Sequence, residues 1–154
     1  MFISYKKLQS TDLDLLKKLV KLYINVFEEK NIDLPRNDYF QKLLENPNLI
    51  FLICLLENKV IGGATVHLLP SVYGDYSEAY IYDLAVATDY QRQGIGSGLL
   101  EELTRQLQST KVREIFVQAD FEDKHAMSFY QATGGQEENV RHYTYALSSN
   151  TFVS

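Results

Sequence analysis

The stretch Ile81-Tyr82-Asp83-Leu84-Ala85-Val86, followed after a short polar link by Gln91-Arg92-Gln93-Gly94-Ile95-Gly96-Ser97-Gly98-Leu99-Leu100, constrains this chain more than any other. It predicts a strand that passes through a glycine-rich turn into an amphipathic helix. Such a junction aims unpaired backbone N–H groups and the positive end of a helix dipole at one small volume, which suits an anion. The glycine spacing narrows the choice. A Walker loop requires Gly-Lys-Ser/Thr after its four-residue gap, and no lysine stands here. A dinucleotide fingerprint requires a third glycine at position 99, where this chain has Leu99. What is left is the pattern Q-x-x-G-x-G, in which glycine at 94 and 96 permits a close backbone approach that a Cβ would obstruct.

A chain of 154 residues with 45% hydrophobic content has room for one domain with a real core, expected at 1–147 with a frayed tail at 148–154. A net charge of −5 lacks the basic footprint of a nucleic-acid binder and makes a small cationic molecule the more natural partner. The start Met1-Phe2-Ile3-Ser4-Tyr5-Lys6-Lys7 lacks the basic-then-apolar order of a secretory signal, and no apolar run approaches the roughly 18 residues of a membrane span. The expectation is a cytoplasmic protein with no membrane partner. A single cysteine, Cys54, excludes a disulfide or a thiolate metal site within the chain and reads as a buried strand residue. His67 and His125 have no metal-ligand spacing, so no metal is expected.

The periodicities predict the order β-α-α-β-β-β-α-β-α-β, an α/β or α+β fold. Residues 3–8 alternate loosely as a first strand. Thr11-Asp12-Leu13-Asp14 supplies an N-cap with an acidic third position, and Leu13, Leu16, Val20 and Phe27 outline the apolar stripe of a first helix. A shorter helix runs over 37–45, ended by Asn46-Pro47. Two β-branched runs, 50–56 and 60–69, flank Glu57-Asn58-Lys59 as a hairpin, and 78–86 is the next strand. Ile95, Leu99, Leu103 and Leu107 give the helix after the glycine turn one packed face. Residues 115–119 read as a buried parallel strand, Ala126 to Tyr130 as a helix stopped by Gly134-Gly135, and 140–147 as an alternating closing strand.

Asp83 is the odd residue in its apolar and aromatic strand. A carboxylate inside a strand needs a partner or a task, so it is either a satisfied structural group or one that binds an ammonium and accepts its proton. Glu78, Asp120 and Glu122 add candidates for an acidic rim, and His142 is a candidate at the same acceptor site.

The Q-x-x-G-x-G turn resembles the pyrophosphate loop of the GNAT superfamily of acetyl-CoA-dependent N-acetyltransferases. Asp123-Lys124-His125-Ala126-Met127-Ser128-Phe129-Tyr130 resembles its second signature, N-x-x-A-x-x-x-Y, with Asp123 where the family usually has asparagine. The resemblance implies a mixed, twisted sheet flanked by helices, opening in a V between the strand ending at Val86 and the one beginning near Ile115. It implies that main-chain groups of Leu84, Ala85 and Val86 pair with the pantetheine arm of acetyl-CoA. The diphosphate then rests on the amides around Gln93, Gly94, Ile95, Gly96 and Ser97, with Gln91 and Arg92 at the mouth and Asp123 as a further contact. Tyr130 would serve the departing thiolate and Asp83 the attacking amine. Homodimers are common in the family.

Three runs, Glu78-Ala79-Tyr80-Ile81-Tyr82-Asp83-Leu84-Ala85-Val86, Val117-Gln118-Ala119-Asp120-Phe121 and Gln136-Glu137-Glu138-Asn139-Val140-Arg141-His142-Tyr143, further resemble the aminoglycoside 3-N-acetyltransferases that inactivate gentamicin-type antibiotics. The implied acceptor is an aminoglycoside amine and the implied role antibiotic resistance. A peptide, protein or polyamine acceptor, and a non-catalytic acyl-CoA-binding domain, remain as alternatives.

Overall fold

A computed structural model describes residues 2–147, so the tail expected at 148–154 lies outside the described residues. The chain divides into two compact units, Met1–Gln118 and Ala119–Ser154. The first contains a five-stranded sheet in the order β1-β2-β3-β4-β5, formed by β1 (Ile3–Lys7), β2 (Leu49–Leu56), β3 (Lys59–Pro70), β4 (Ser77–Val86) and β5 (Val112–Val117). The first four strands pair antiparallel, and β5 lies parallel to β4. The mixed α+β architecture expected from the sequence is present.

Helices cover both faces of this sheet. On one face α1 (Leu13–Val26) and α2 (Asn37–Glu45) bury Leu16, Leu19, Tyr23 and Phe40 against Phe51, Ile53 and Ala85. On the other, α3 (Ile95–Leu107) buries the expected stripe Ile95, Leu99, Leu103 and Leu107 against Leu52, Cys54, Ile61, Val66 and Ile81. Each such aliphatic side chain withdrawn from water contributes about 1.5–3 kcal/mol.

The two helix layers come closest at adjacent residues of β3. A Cβ on Gly63 would lie 2.4 Å from Leu19 Cδ1 of α1 and 2.8 Å from the Leu52 carbonyl oxygen. A Cβ on Gly62 would lie 3.2 Å from both the Ala85 carbonyl oxygen and Ile95 Cγ2 of α3. Successive strand residues face opposite sides, so this pair seats one helix on each face.

Four sequence expectations are corrected. The stripe of α1 buries Leu16, Leu19 and Tyr23 with the expected Leu13 and Val20 packed beside them, but it stops short of Phe27, which ends the helix, 45% exposed, and stacks on Tyr23 at 5.9 Å. Asp12, not Thr11, takes the N-cap position, and its carboxylate accepts from Gln9 N at 2.7 Å and pairs with Lys6 at 3.5 Å instead of capping the helix. β5 runs Val112–Val117 rather than 115–119, with β4 its one strand neighbour among the described residues, so Ile115, Phe116 and Val117 are half-buried rather than fully buried, and Gln118 and Ala119 lie outside the strand, exposed. Residues 140–147 form no strand. Alternation states which side chains share a face, whereas a strand also needs a hydrogen-bonding neighbour, and here Val140, Tyr143, Tyr145 and Leu147 are all at least 70% exposed.

In the second unit, α4 (Lys124–Ala132) is capped by Asp123, whose Oδ1 accepts from Ala126 N at 3.0 Å, and the chain turns out of the helix at Gly134 with φ +95°.

Gly63→Ala should destabilise the fold by about 1–3 kcal/mol, since the new methyl meets backbone on one side and a packed leucine on the other. Gly62→Ala should cost less. Urea unfolding of both variants measures the difference, and equal stabilities would show that the helix contact does not depend on Gly63.

Candidate active site

The ladder between β3 and β4 holds one extra residue. Thr65 pairs with Asp83, but the next β3 residue, Val66, pairs with Ile81, so Tyr82 is bulged out of register. In an unbroken strand Asp83 would share a face with Ile81 and enter the core under α3. The bulge instead aligns Asp83 with Tyr80, Thr65 and His67 on the face that carries α1 and α2. Leu84 and Val86 remain on the α3 face and pack against its core, while Ala85 packs on the α1 side.

Burial pushes the Asp83 carboxyl above its ordinary value. The Thr65 hydroxyl opposite it and the nearby His67 pull it back toward the charged form. Thr65 is in turn bonded through Oγ1 to the Tyr23 hydroxyl of α1 at 3.0 Å. Tyr82 reaches across Asp83's surroundings, edge-on to His67 at 5.5 Å and to Tyr80 at 5.9 Å, and is 64% exposed. The result is a half-buried carboxylate of raised basicity, ringed by aromatic groups, open enough to meet an amine.

β4 and β5 part company at the same place. Their pairing runs from Ser77 to Ile81, and, among the described residues, 82–86 of β4 have no strand partner on that side. Ala87 N donates to Ile61 O of β3 at 2.8 Å, so the Val86 carbonyl, across the same trans peptide, points away from β3 into the opening. By the alternation of strand amides, the N–H and C=O groups of Leu84 and Val86 face the opening. Gln91 Nε2 already occupies the Val86 carbonyl at 2.9 Å. Pairing between these strands stops at Ile81, opposite Val117 where β5 ends, and β4 continues beyond it to Val86.

Beyond β4 a short 3-10 turn, Thr88–Tyr90, leads to the glycine loop. Arg92 sits in the left-handed region at φ +61°, and Gly94, the N-cap of α3, at φ +83°. A non-glycine residue held there costs energy, and such strain collects where a backbone is shaped for a ligand. The first bond inside α3 runs from Gly98 N to Gly94 O at 2.9 Å, leaving the N–H groups of Ile95, Gly96 and Ser97 without an acceptor in the helix, and no side chain caps them. A Cβ on Gly94 would meet nothing within 4 Å. The cradle is thus open, lined by three convergent donors, and suited to a diphosphate. Gln93 is turned back to the Asp89 carbonyl at 3.4 Å.

In the second unit Tyr130 lies on α4, its phenol pushed up to about 12 by burial and by the negative Asp123. It therefore keeps its proton through the neutral range. Asp123 spends Oδ1 on its capping bond. Asp120 Oδ1 accepts from Glu122 N at 3.1 Å, and both side chains are exposed, as is His142 in the irregular segment 136–147. Glu78 is half-buried on β4, paired in register with Leu69 and Glu114.

The structure thus joins Asp83 with the free half of β4 and the glycine loop in one unit. It adds Thr65 and Tyr23, neither of which the sequence reading singled out. Tyr23 had a usable signal in its spacing of four from Leu19 and seven from Leu16. Thr65 had none, since its partner is fixed only by strand register.

Residues 15–134 match the sequence profile of the acetyltransferase (GNAT) family. Among solved structures, an aminoglycoside acetyltransferase from an uncultured soil metagenomic sample, meta-AAC0020, in complex with sisomicin, superimposes with a TM-score of 0.93. It is 40% identical, over 96% of this chain and 97% of that one. A second soil metagenomic aminoglycoside acetyltransferase, HMB0005, is 32% identical over 96% of this chain and 100% of that one, with a TM-score of 0.89. The [ribosomal protein bS18]-alanine N-acetyltransferase of Escherichia coli K12 is 34% identical over 68 residues, 44% of this chain and 46% of that enzyme. The chain therefore spans about half the length of the curated relatives it matches.

Gly94→Val should lower acetyl-CoA affinity at least about tenfold, because a β-branched residue disfavours the left-handed turn and puts atoms into the cradle. Calorimetry on the folded variant decides this, and unchanged affinity would remove the loop from the binding site.

Proposed function

The chain belongs to the acetyltransferase (GNAT) family, whose acetyl donor is acetyl-CoA, and we propose that its acceptor is a primary amine of an aminoglycoside, the 3-amino group. The observation that carries this reading is the 40% identity, over 96% of the chain, to the aminoglycoside acetyltransferase in complex with sisomicin. The net charge of −5 suits a polycationic acceptor.

Bound acetyl-CoA supplies an acetyl thioester; the rest is done by side chains and amides of this protein. The unpaired amides of Leu84 and Val86 hold the pantetheine arm as an added strand, and the Val86 N–H donates to the thioester carbonyl as negative charge grows there. The amides of Ile95, Gly96 and Ser97 take the diphosphate, with Gln91, Arg92 and Gln93 at its mouth. Asp83 orients the acceptor ammonium and takes its proton, directly or through one water, so that the neutral amine attacks. As the carbon–sulfur bond breaks, the Tyr130 hydroxyl donates its proton to the departing thiolate, and the surplus proton of the newly acylated nitrogen returns to the phenolate through solvent. Asp123, through its second carboxylate oxygen, accepts from the pantetheine arm. Ala85, packed toward α1, contributes backbone only. Glu78, Asp120, Glu122 and His142 serve as secondary contacts for further amino groups.

A second reading draws on the ribosomal-protein-alanine acetyltransferase relative: the acceptor is then the α-amino group of a peptide. A panel of sisomicin, spermidine and an alanyl peptide, assayed by thiol release from acetyl-CoA, separates the readings. Mass spectrometry and NMR of the aminoglycoside product locate the acetyl group. Acetylation of another amine overturns the 3-amino assignment, turnover of the peptide alone overturns the aminoglycoside reading, and thiol release with none of them marks a binding domain.

Asp83→Asn keeps shape but removes charge and basicity, and should lower kcat/KM for the preferred acceptor about 100-fold, or about 2.7 kcal/mol of transition-state stabilisation. The wild-type acid limb of kcat/KM should fall above the ordinary aspartate range, since burial raises the Asp83 carboxyl and only its charged form accepts a proton. Full activity in the variant would return Asp83 to a structural role. Tyr130→Phe should reduce kcat about ten- to a hundredfold with acetyl-CoA affinity nearly intact. Undiminished turnover would leave Tyr130 as a packing residue.

A further inference from the structure

We infer that Tyr23 and Thr65 are positioning residues for Asp83, forming a one-way relay of hydroxyls that runs from the buried face of α1 across β3 to the carboxylate. The inference rests on the reading of Asp83 as the group that accepts the amine proton.

Donor and acceptor chemistry sets the direction. Tyr23 and Thr65 are each 8% exposed, and their hydroxyl oxygens are 3.0 Å apart. Thr65 stands directly opposite Asp83 in the ladder, on the same face of the sheet, so its hydroxyl is within cross-strand reach of the carboxylate. A carboxylate accepts only, and a threonine hydroxyl has a single proton. With that proton given to Asp83, Thr65 Oγ1 is left as an acceptor, and the Tyr23 O–H must donate to it. The reverse arrangement, in which a protonated Asp83 donates to Thr65 and Thr65 to Tyr23, leaves the Tyr23 proton without an acceptor in a buried setting, which is costly. The relay therefore favours the carboxylate over the acid and holds its acceptor oxygens in a set orientation.

Thr65 is the one polar residue buried in the core among the described residues, and no packing need explains a hydroxyl there. Without the bulge at Tyr82, Asp83 would lie on the opposite face from Thr65. The bulge and the relay are thus one arrangement. The relay also opposes burial: desolvation raises Asp83, and Thr65 lowers it. The titratable or hydroxyl groups facing Asp83 are Thr65 and His67 of β3, Tyr23 of α1, and Tyr80 and Tyr82 of its own strand. His67 is unchanged in the variants below.

The test uses acetyl-CoA with the fastest acceptor among sisomicin, spermidine and an alanyl peptide. Tyr23→Phe should lower kcat about three- to tenfold and Thr65→Val about tenfold or more, with acetyl-CoA affinity unchanged. Both should move the acid limb of kcat/KM to higher pH, and Thr65→Ser should recover most of what Thr65→Val loses. Added to Asp83→Asn, Tyr23→Phe should have no further effect. The relay is overturned if Tyr23→Phe leaves kcat and the pH profile as in wild type while Asp83→Asn is impaired. It is equally overturned if Tyr23→Phe costs as much in the Asp83→Asn background as alone. If Thr65→Val does not fold, Tyr23→Phe decides by itself. Asp83→Asn with full activity would instead refute the underlying role of Asp83.

Discussion

One surplus residue in β4 organises the candidate site. Strand geometry alternates without exception, so a single uncompensated insertion exchanges the faces of everything beyond it. Before Tyr82, the odd-numbered residues Ala79 and Ile81 lie in the α3 core; after it, the even-numbered Leu84 and Val86 do. The carboxylate is thereby delivered to the side of α1 and α2, and the apolar pair next to it stays under α3. Pairing with β5 also ends at Ile81, one residue before the insertion. The change of face and the parting of the strands thus occur together, which sets a charged group on one side of the sheet within a residue of unpaired amides along its edge.

The remainder of the unit supports that junction from both faces. α1 and α3 approach β3 at Gly63 and Gly62, beside Ala85 and Val86 in the neighbouring strand. α1 could not sit as close to an ordinary strand residue, since a Cβ on Gly63 would run into Leu19 Cδ1, and α3 would be crowded by one on Gly62, 3.2 Å from Ile95 Cγ2. α1 thereby brings Tyr23 within reach of Thr65, and α3 starts with three unclaimed N–H groups beside the end of β4.

What was legible in the sequence divides along physical lines. Helix α2 appears at the expected residues, and β2, β3 and β4 lie within one residue of expectation at each end, because local periodicity and Pro or Asn punctuation encode them. The glycine turn was legible because positive φ is a property of residue type, and Gly94 shows it. The bulge was not, since nothing in Tyr80-Ile81-Tyr82-Asp83 says which residue the opposite strand will skip. Thr65 and Tyr23 were hidden for the same reason: they meet through a register and a helix orientation 42 residues apart in the chain. The closing strand at 140–147 failed in the opposite sense, where alternation was present but a backbone partner was not.

The unpaired run at 82–86 links this protein's folding to its chemistry. Among the described residues this half of β4 has no strand neighbour on one side, so it forgoes the cooperativity that a complete ladder provides. A linear ligand with its own amides, bound there only by the folded chain, would stabilise the fold by RT ln(1 + [L]/Kd). At a ligand concentration 100 times Kd that amounts to about 2.7 kcal/mol, a large share of the about 5–15 kcal/mol by which ordinary domains hold together. The resistance of such a protein to unfolding and proteolysis then follows the supply of its ligand, so a cell depleted of that ligand loses the protein as well as its turnover.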